Sequence, residues 1–201
     1  MPTPAPTIAA VDNAEIERSD AFWEQSSDFV PTDYRYDSLA EITADVHLIV
    51  RGRVVGTQDG QLQSFDRPGS FRRTTLGIVA VDEVLKGTPE MQVPGTVLVA
   101  RLGASKQPAD EIPAGEVILF LNHYPTVRSE LGVDQSIDPD DRFLYGRPNG
   151  YQSVLRNFGG TVRIVEGPDG WEDALGPFPA PLDGEPFADI LQAIRQTVGT
   201  E

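Results

Sequence analysis

Apolar and polar positions change period twice along this chain, from helix to strand and back to helix. Val46, Leu48, Val50 and Val54 alternate with His47, Arg51 and Arg53, which is the pattern of a half-buried strand. Just before it, Ser38-Leu39-Ala40-Glu41 has the form of a capping box, with a serine hydroxyl on a first-turn N–H and a glutamate reaching back. That predicts a short helix over 39–45. Gly52 interrupts the apolar face of the strand, where a bulge or tight bend lets the backbone curl. A polar Gln/Asp/Gly/Pro stretch from Gln58 to Ser70 reads as a hairpin loop. The β-branched run Thr74, Thr75, Ile78, Val79 and Val81 marks a second strand over 72–85.

Further strands are predicted at 96–102, 116–123, 151–158 and 161–166, the last two joined by Gly159-Gly160, since a two-residue turn of this kind needs positive φ. Phe187, Ile190, Leu191, Ile194 and Val198 then fall on one face of a closing helix, with Pro186 suited to its first turn. Six short strands between two helices predict a mainly β fold: a small closed or nearly closed antiparallel barrel. Val46, Leu48, Val50, Val79, Val81, Leu119 and Ile164 are its expected interior. The organisation follows: an acidic, proline-containing and partly extended lead-in over 1–37, the barrel over 38–166, and an acidic linker with a packed helix over 167–201. Residues 1–19 hold few large aliphatics and are expected to be removable.

Charge sharpens that division. Residues 46–163 hold 13 acidic and 13 basic side chains, residues 1–45 hold 10 against 2, and residues 164–201 hold 8 against 1. The net charge of −15 therefore resides in the flanks. Acidic flanks repel phosphate backbones, so an OB-type nucleic-acid binder is disfavoured. The absence of cysteine removes thiol nucleophiles, zinc–thiolate sites and disulfide scaffolds. No apolar run reaches the roughly 20 residues that span a bilayer. The first residues carry neither a basic segment nor an apolar one, so no secretory signal is legible there.

Four stretches together resemble a known layout. They are Ser38-Leu39-Ala40-Glu41, then Ala44-Asp45-Val46-His47-Leu48-Ile49-Val50-Arg51-Gly52-Arg53-Val54, then Val81-Asp82-Glu83-Val84-Leu85-Lys86-Gly87, and Pro113-Ala114-Gly115-Glu116-Val117-Ile118-Leu119-Phe120-Leu121. Their order and spacing resemble a broad group of poorly characterised bacterial extracytoplasmic domains, similar to the OB-like barrel of netrin-type modules and tissue inhibitors of metalloproteinases. The resemblance implies a five- or six-stranded barrel, export from the cytoplasm and no catalysis. Those inhibitors act through an N-terminal cysteine on the catalytic zinc, and this chain has no cysteine. Their inhibitory chemistry therefore transfers to no residue here.

Candidate chemistry concentrates in Asn122–Asn149, the longest irregular stretch within the body, and loops of that length are commonly functional or disordered. It supplies His123, Tyr124, Arg142, Tyr145 and Arg147 as candidate ligand-binding residues, with Arg51 and Arg53 on the first strand as a second surface. Asp138, Asp140 and Asp141 could offer oxygen ligands to a hard cation. The EF-hand spacing fails, with Phe143 at the turn-glycine position and no closing glutamate, so a solvated turn is the favoured reading of the three aspartates. No Gly-x-Ser-x-Gly, Walker or dinucleotide motif occurs, and no cofactor is indicated. The resulting expectation is a non-enzymatic, extracytoplasmic binding or scaffold module for a protein or glycan. The alternative is a cation-dependent or hydrolytic enzyme using the 122–149 loop.

Overall fold

The computed structural model describes residues 12–24, 35–64, 71–101, 106–126, 142–148, 151–165 and 178–199. It shows a mixed α/β fold rather than a mainly β one. Helices α1 (Asn13–Glu24), α2 (Leu39–Asp45) and α3 (Phe187–Val198) surround a single sheet. The strands are β1 (Leu48–Ser64), β2 (Phe71–Lys86), β3 (Thr96–Arg101), β4 (Glu116–His123), β5 (Leu144–Gly146), β6 (Val154–Phe158) and β7 (Thr161–Ile164). Their order is β1-β2-β3-β5-β4-β6-β7, and β4 also pairs with β1. Five strands thus form a nearly closed ring, mostly antiparallel, with a parallel β3–β5 pairing at Leu98↔Leu144 and Val99↔Tyr145.

β4 is central. One edge pairs with β1 from Leu48↔Leu121 to Arg53↔Glu116. The other pairs first with β6 and then, at Asn122↔Gly146 and His123↔Tyr145, with β5. Its two faces feed two cores. Val117, Leu119 and Leu121 join Leu48, Val50, Val54, Val79, Val97, Val99 and Val154 inside the ring. Ile118 and Phe120 join Ile42, Ile49, Leu155, Phe187, Ile190, Leu191 and Ile194 beneath α2 and α3. A strand covered on both faces reads as an unbroken apolar run, which accounts for Val117-Ile118-Leu119-Phe120-Leu121.

The capping box forms with one change of partner. Ser38 Oγ accepts the Glu41 N–H at 3.1 Å, while Glu41 Oε2 accepts from the Asp37 N–H at 2.7 Å, one residue before the cap. Lys86 Nζ, at the end of β2, donates to the Thr43 and Ala44 carbonyls at 2.8 and 2.6 Å, satisfying last-turn acceptors of α2. Gly159 and Gly160 adopt φ of 62° and 92° and make the β6–β7 turn. The outer edge of β7 is covered: Val162 N donates to Glu185 O, Gly184 N to Val162 O, and Ile164 N to Asp183 Oδ1. An edge so occupied does not template association with another chain.

Four expectations need correction. The partly extended lead-in holds a helix that was not expected, Asn13–Glu24, which buries Ser19, Phe22 and Trp23. Residues 13–19 are therefore not a free appendage, since a cut at 19 removes over half of α1; residues 1–11 lie outside the described residues. The stretch 58–64 is strand, not loop: β1 and β2 run past the ring as a two-stranded arm, which needs no apolar face. β5 lies within the stretch expected to be irregular, as it is only three residues long. Val46 and Ile164 pack in the helix-side core, not inside the ring, because Val46 precedes β1 as the C-cap of α2.

Gly52 fits the expected bulge, with the β1–β2 register shifting between Arg51 and Gly52. A Cβ there would meet the Ala80 carbonyl oxygen at 2.1 Å, whereas one at Gly56 would meet Ile78 Cδ1 at an ordinary 3.5 Å. Gly52→Ala is thus expected to cost about 1–3 kcal/mol, as overpacking does, and Gly56→Ala to cause no loss. Urea melts of the two variants measure the difference.

Candidate functional site

The structure separates the candidate residues into three places. His123 and Tyr145 are cross-strand partners on β4 and β5, with ring centroids 5.3 Å apart. His123 Nε2 lies 2.8 Å from the Arg142 carbonyl oxygen, and Nδ1 lies 2.8 Å from Thr126 Oγ1. A carbonyl only accepts, so Nε2 carries a proton; in the neutral ring Nδ1 then accepts from the threonine hydroxyl. The ring clasps the chain just after β4 to the chain just before β5. Tyr124 is half-buried at the start of the helical residues 124–126. The Arg142 guanidinium stacks 4.3 Å from the Phe143 ring centroid.

Tyr145 points into the ring and its Oη accepts the Glu90 N–H at 2.8 Å. Burial raises its pKa above the ordinary 10, against the lowering effect of the Glu90 hydrogen bond. Arg147, just past β5, lies with its guanidinium carbon 5.5 Å from the Trp23 ring centroid. Burial pushes that guanidinium down to about 10, still charged at neutral pH. The contact is a cation–π one with a partly desolvated ion.

Arg51 and Arg53 form a separate surface and are engaged in ion pairs. Arg51 Nε lies 3.5 Å from Glu83 and 3.4 Å from Glu116, and Arg53 Nη2 lies 3.0 Å from Asp82. Glu83 is also gripped by Arg195 of α3 through both nitrogens at 2.8–3.1 Å. This lattice ties β1, β2 and α3 together, and each part-exposed pair in it contributes little alone. Asp138, Asp140 and Asp141 lie outside the described residues. Among the described residues, no three His, Asp or Glu side chains gather as a metal site.

Sequence reasoning missed the most unusual side chain. Arg156 is 1% exposed and, opposite Val117 on β4, takes the ring-interior side of β6 between Val154 and Phe158. Its Nη1 donates to Asp20 Oδ1 at 2.6 Å and Ser19 Oγ at 3.1 Å, and Nη2 donates to the Ile164 carbonyl. Asp20 also lies 3.8 Å from Arg163. Burial lowers the Arg156 pKa, and the hydrogen bond and charge of Asp20 oppose that. A charge buried so deeply persists when paired and hydrogen-bonded. Its signal in the sequence is parity: in Val154-x-Arg156-x-Phe158 the arginine takes an apolar position. Beside it, Glu15 Oε1 accepts the Ala114 N–H at 2.6 Å, and Phe22 packs edge-on to Trp23, with centroids 5.1 Å apart.

No family model matches the chain, and no curated protein matches it.

Two outcomes are expected from this geometry. Asp20→Ala strands the Arg156 charge; removing one partner of a fully buried pair costs about 3–5 kcal/mol, and the 30% exposure of the Asp20 side chain brings this to about 2–4 kcal/mol. Adding Arg156→Met to Asp20→Ala should recover much of the loss, and chemical denaturation of both variants tests this. For Tyr145, the folded state holds its proton above pH 10 while the unfolded state releases it there. The associated stability is intact below pH 10 and declines as pH rises through the raised folded pKa. In an ultraviolet phenolate titration, Tyr145→Phe should remove a step above pH 10.

Proposed function

We propose that the chain is a non-enzymatic binding or scaffold module on an OB-like barrel, working outside the cytoplasm, and that it engages a protein partner through the β1–β2 arm. Support for the OB-like reading comes from the five-stranded, not quite closed ring, the architecture of that barrel class. Export rests on the resemblance of 38–41, 44–54, 81–87 and 113–121 to extracytoplasmic domains.

The observation that carries the binding reading is the arm. β4 pairs with β1 only as far as Arg53, and β3 pairs with β2 only between Thr75 and Ala80. Beyond a register shift after Asp59, Leu62–Ser64 pair with Phe71–Arg73 and with no third strand among the described residues. A two-stranded ribbon is marginal in water by itself, and its outer backbone groups are a template for a further strand. By contrast, Arg51, Arg53 and His123 are engaged within the fold, and β7 is covered at its edge. The arm is thus the best-placed surface for recognition of an extended segment.

The test uses phage-displayed extended peptides as the probe. Selection on the full chain is expected to enrich peptides of alternating β-branched and polar residues. A chain in which Gly60–Arg73 is replaced by an Asn-Gly turn should keep the thermal melt of the ring and bind those peptides at least about tenfold more weakly, as expected when main-chain pairing is lost. Equal binding by the shortened chain would refute the arm as the recognition surface.

A further inference from the structure

We propose that the ring carries a built seat for an acidic–aromatic helix, filled in cis by α1, and that this seat accepts the same helix from a second copy of the chain. The seat has a charged part and an apolar part. Arg156 and Arg163 receive Asp20, with Nη1 of the first at 2.6 Å and Nη2 of the second at 3.8 Å. Arg156 also donates to Ser19. One turn further along α1, Phe22 and Trp23, each 2% exposed, enter the interior cluster beside Val50, Val117 and Val154. Arg147 stacks on Trp23 from the rim. At the other end of the helix, the Ala114 N–H donates to Glu15.

Each of these ties is made by side chains of α1. Its described backbone hydrogen bonds run within the helix, and none reaches a strand. Recognition of this kind depends on the motif Asp20-Ala21-Phe22-Trp23 and not on continuity of the chain. That differs from α3, whose entry is joined by main-chain bonds to β7.

Ten residues, 25–34, separate α1 from Arg35, and a stretch of that length reaches at most about 33–36 Å. A tether this short gives the resident helix a millimolar effective concentration, so exchange in trans is expected only when the cis helix is disabled or displaced. The occupant is then chemically specified: a helix with an aspartate two and three positions ahead of an aromatic pair. A second copy supplies this in full, and exchange of an identical element is a low-cost route to association.

The experiment uses the full chain carrying Asp20→Asn, Phe22→Ala and Trp23→Ala, which vacates the seat, with a labelled peptide of residues 12–24 as probe. The peptide should bind this variant saturably at micromolar concentration and raise its melting temperature. An Asp20→Asn peptide should bind at least about tenfold more weakly, because Arg156 is left unpaired, and the wild-type chain should take up no peptide. If the variant does not fold alone, refolding with the peptide should rescue it. Mixing the variant with a full chain carrying Arg156→Met, whose α1 lacks its anchor, should give a heterodimer in sedimentation. A folded variant that ignores the peptide, equal binding of the Asp20→Asn peptide, or failure of rescue would overturn the seat. Peptide binding without a heterodimer would overturn the second-copy claim.

Discussion

The fold depends on β4 being covered on both faces and paired along both edges. Ile118, Leu119, Phe120 and Leu121 are each 0% exposed, and Val117 is 2% exposed. Five neighbouring side chains of this kind are worth roughly 1.5–3 kcal/mol each on transfer from water, before entropy is subtracted. Because side chains alternate along a strand, that gain requires two separate cores. The ring supplies one, and α2 with α3 supplies the other. Neither core is complete without the other, as both rest on the same five residues. The polar ends of the strand fit this role: Asn122 is buried and its Oδ1 lies 3.0 Å from His47 Nδ1, which holds the start of β1 in register.

The same economy recurs where irregular segments cross the sheet. Gln152 is fully buried, and its amide accepts from the Tyr36 N–H at 3.1 Å and donates to the Tyr36 and Phe178 carbonyls at 2.9 Å each. One side chain thus stands in for a strand and satisfies three backbone groups that would otherwise be stranded away from water. Tyr36 Oη then donates to Asp45 at the end of α2 at 2.6 Å. Arg156 plays the equivalent role on the ring side, joining β6, the end of β7 and α1. In both cases a long polar side chain ties down a segment that the β-ladder does not reach, Tyr36 and Phe178 for Gln152 and α1 for Arg156.

What was legible in the sequence was what period alone decides. The alternation of Leu48, Val50 and Val79, the glycine bulge at Gly52, the Gly159-Gly160 turn and the stripe Phe187/Ile190/Leu191/Ile194 all carry their signal locally. What was not legible depends on partners distant in sequence. α1 has no full-length apolar stripe, because it docks through Ser19, Phe22 and Trp23 at its C-terminal half. β5 is too short to show a period, and its existence rests on pairing with β3 and β4. The polar half of β1 is strand because β2 pairs with it, not because a face is buried. Among the candidate site residues, the adjacency of His123, Arg142 and Tyr145 follows from that unseen β5. The engagement of Arg51 follows from Glu83 and Glu116, which lie on other strands.

The uneven charge along the sequence takes a different meaning once the chain is folded. Some flank acids are clasps on the body, Glu15 on the Ala114 N–H and Asp20 on Arg156 and Arg163, while Asp45 on Tyr36 Oη and Asp183 on the Ile164 N–H tie each flank within itself. The basic residue of the C-terminal flank, Arg195, grips Glu83 in the body. Opposite charges thus meet across the divide of flank and body at Asp20 with Arg156 and Arg163, and at Arg195 with Glu83. The acids left over, such as Glu17 and Glu24 on the outer side of α1, are exposed and keep the assembled surface negative. A net charge of −15 then sets up repulsion between copies of the chain, a consequence of charge and not of fold.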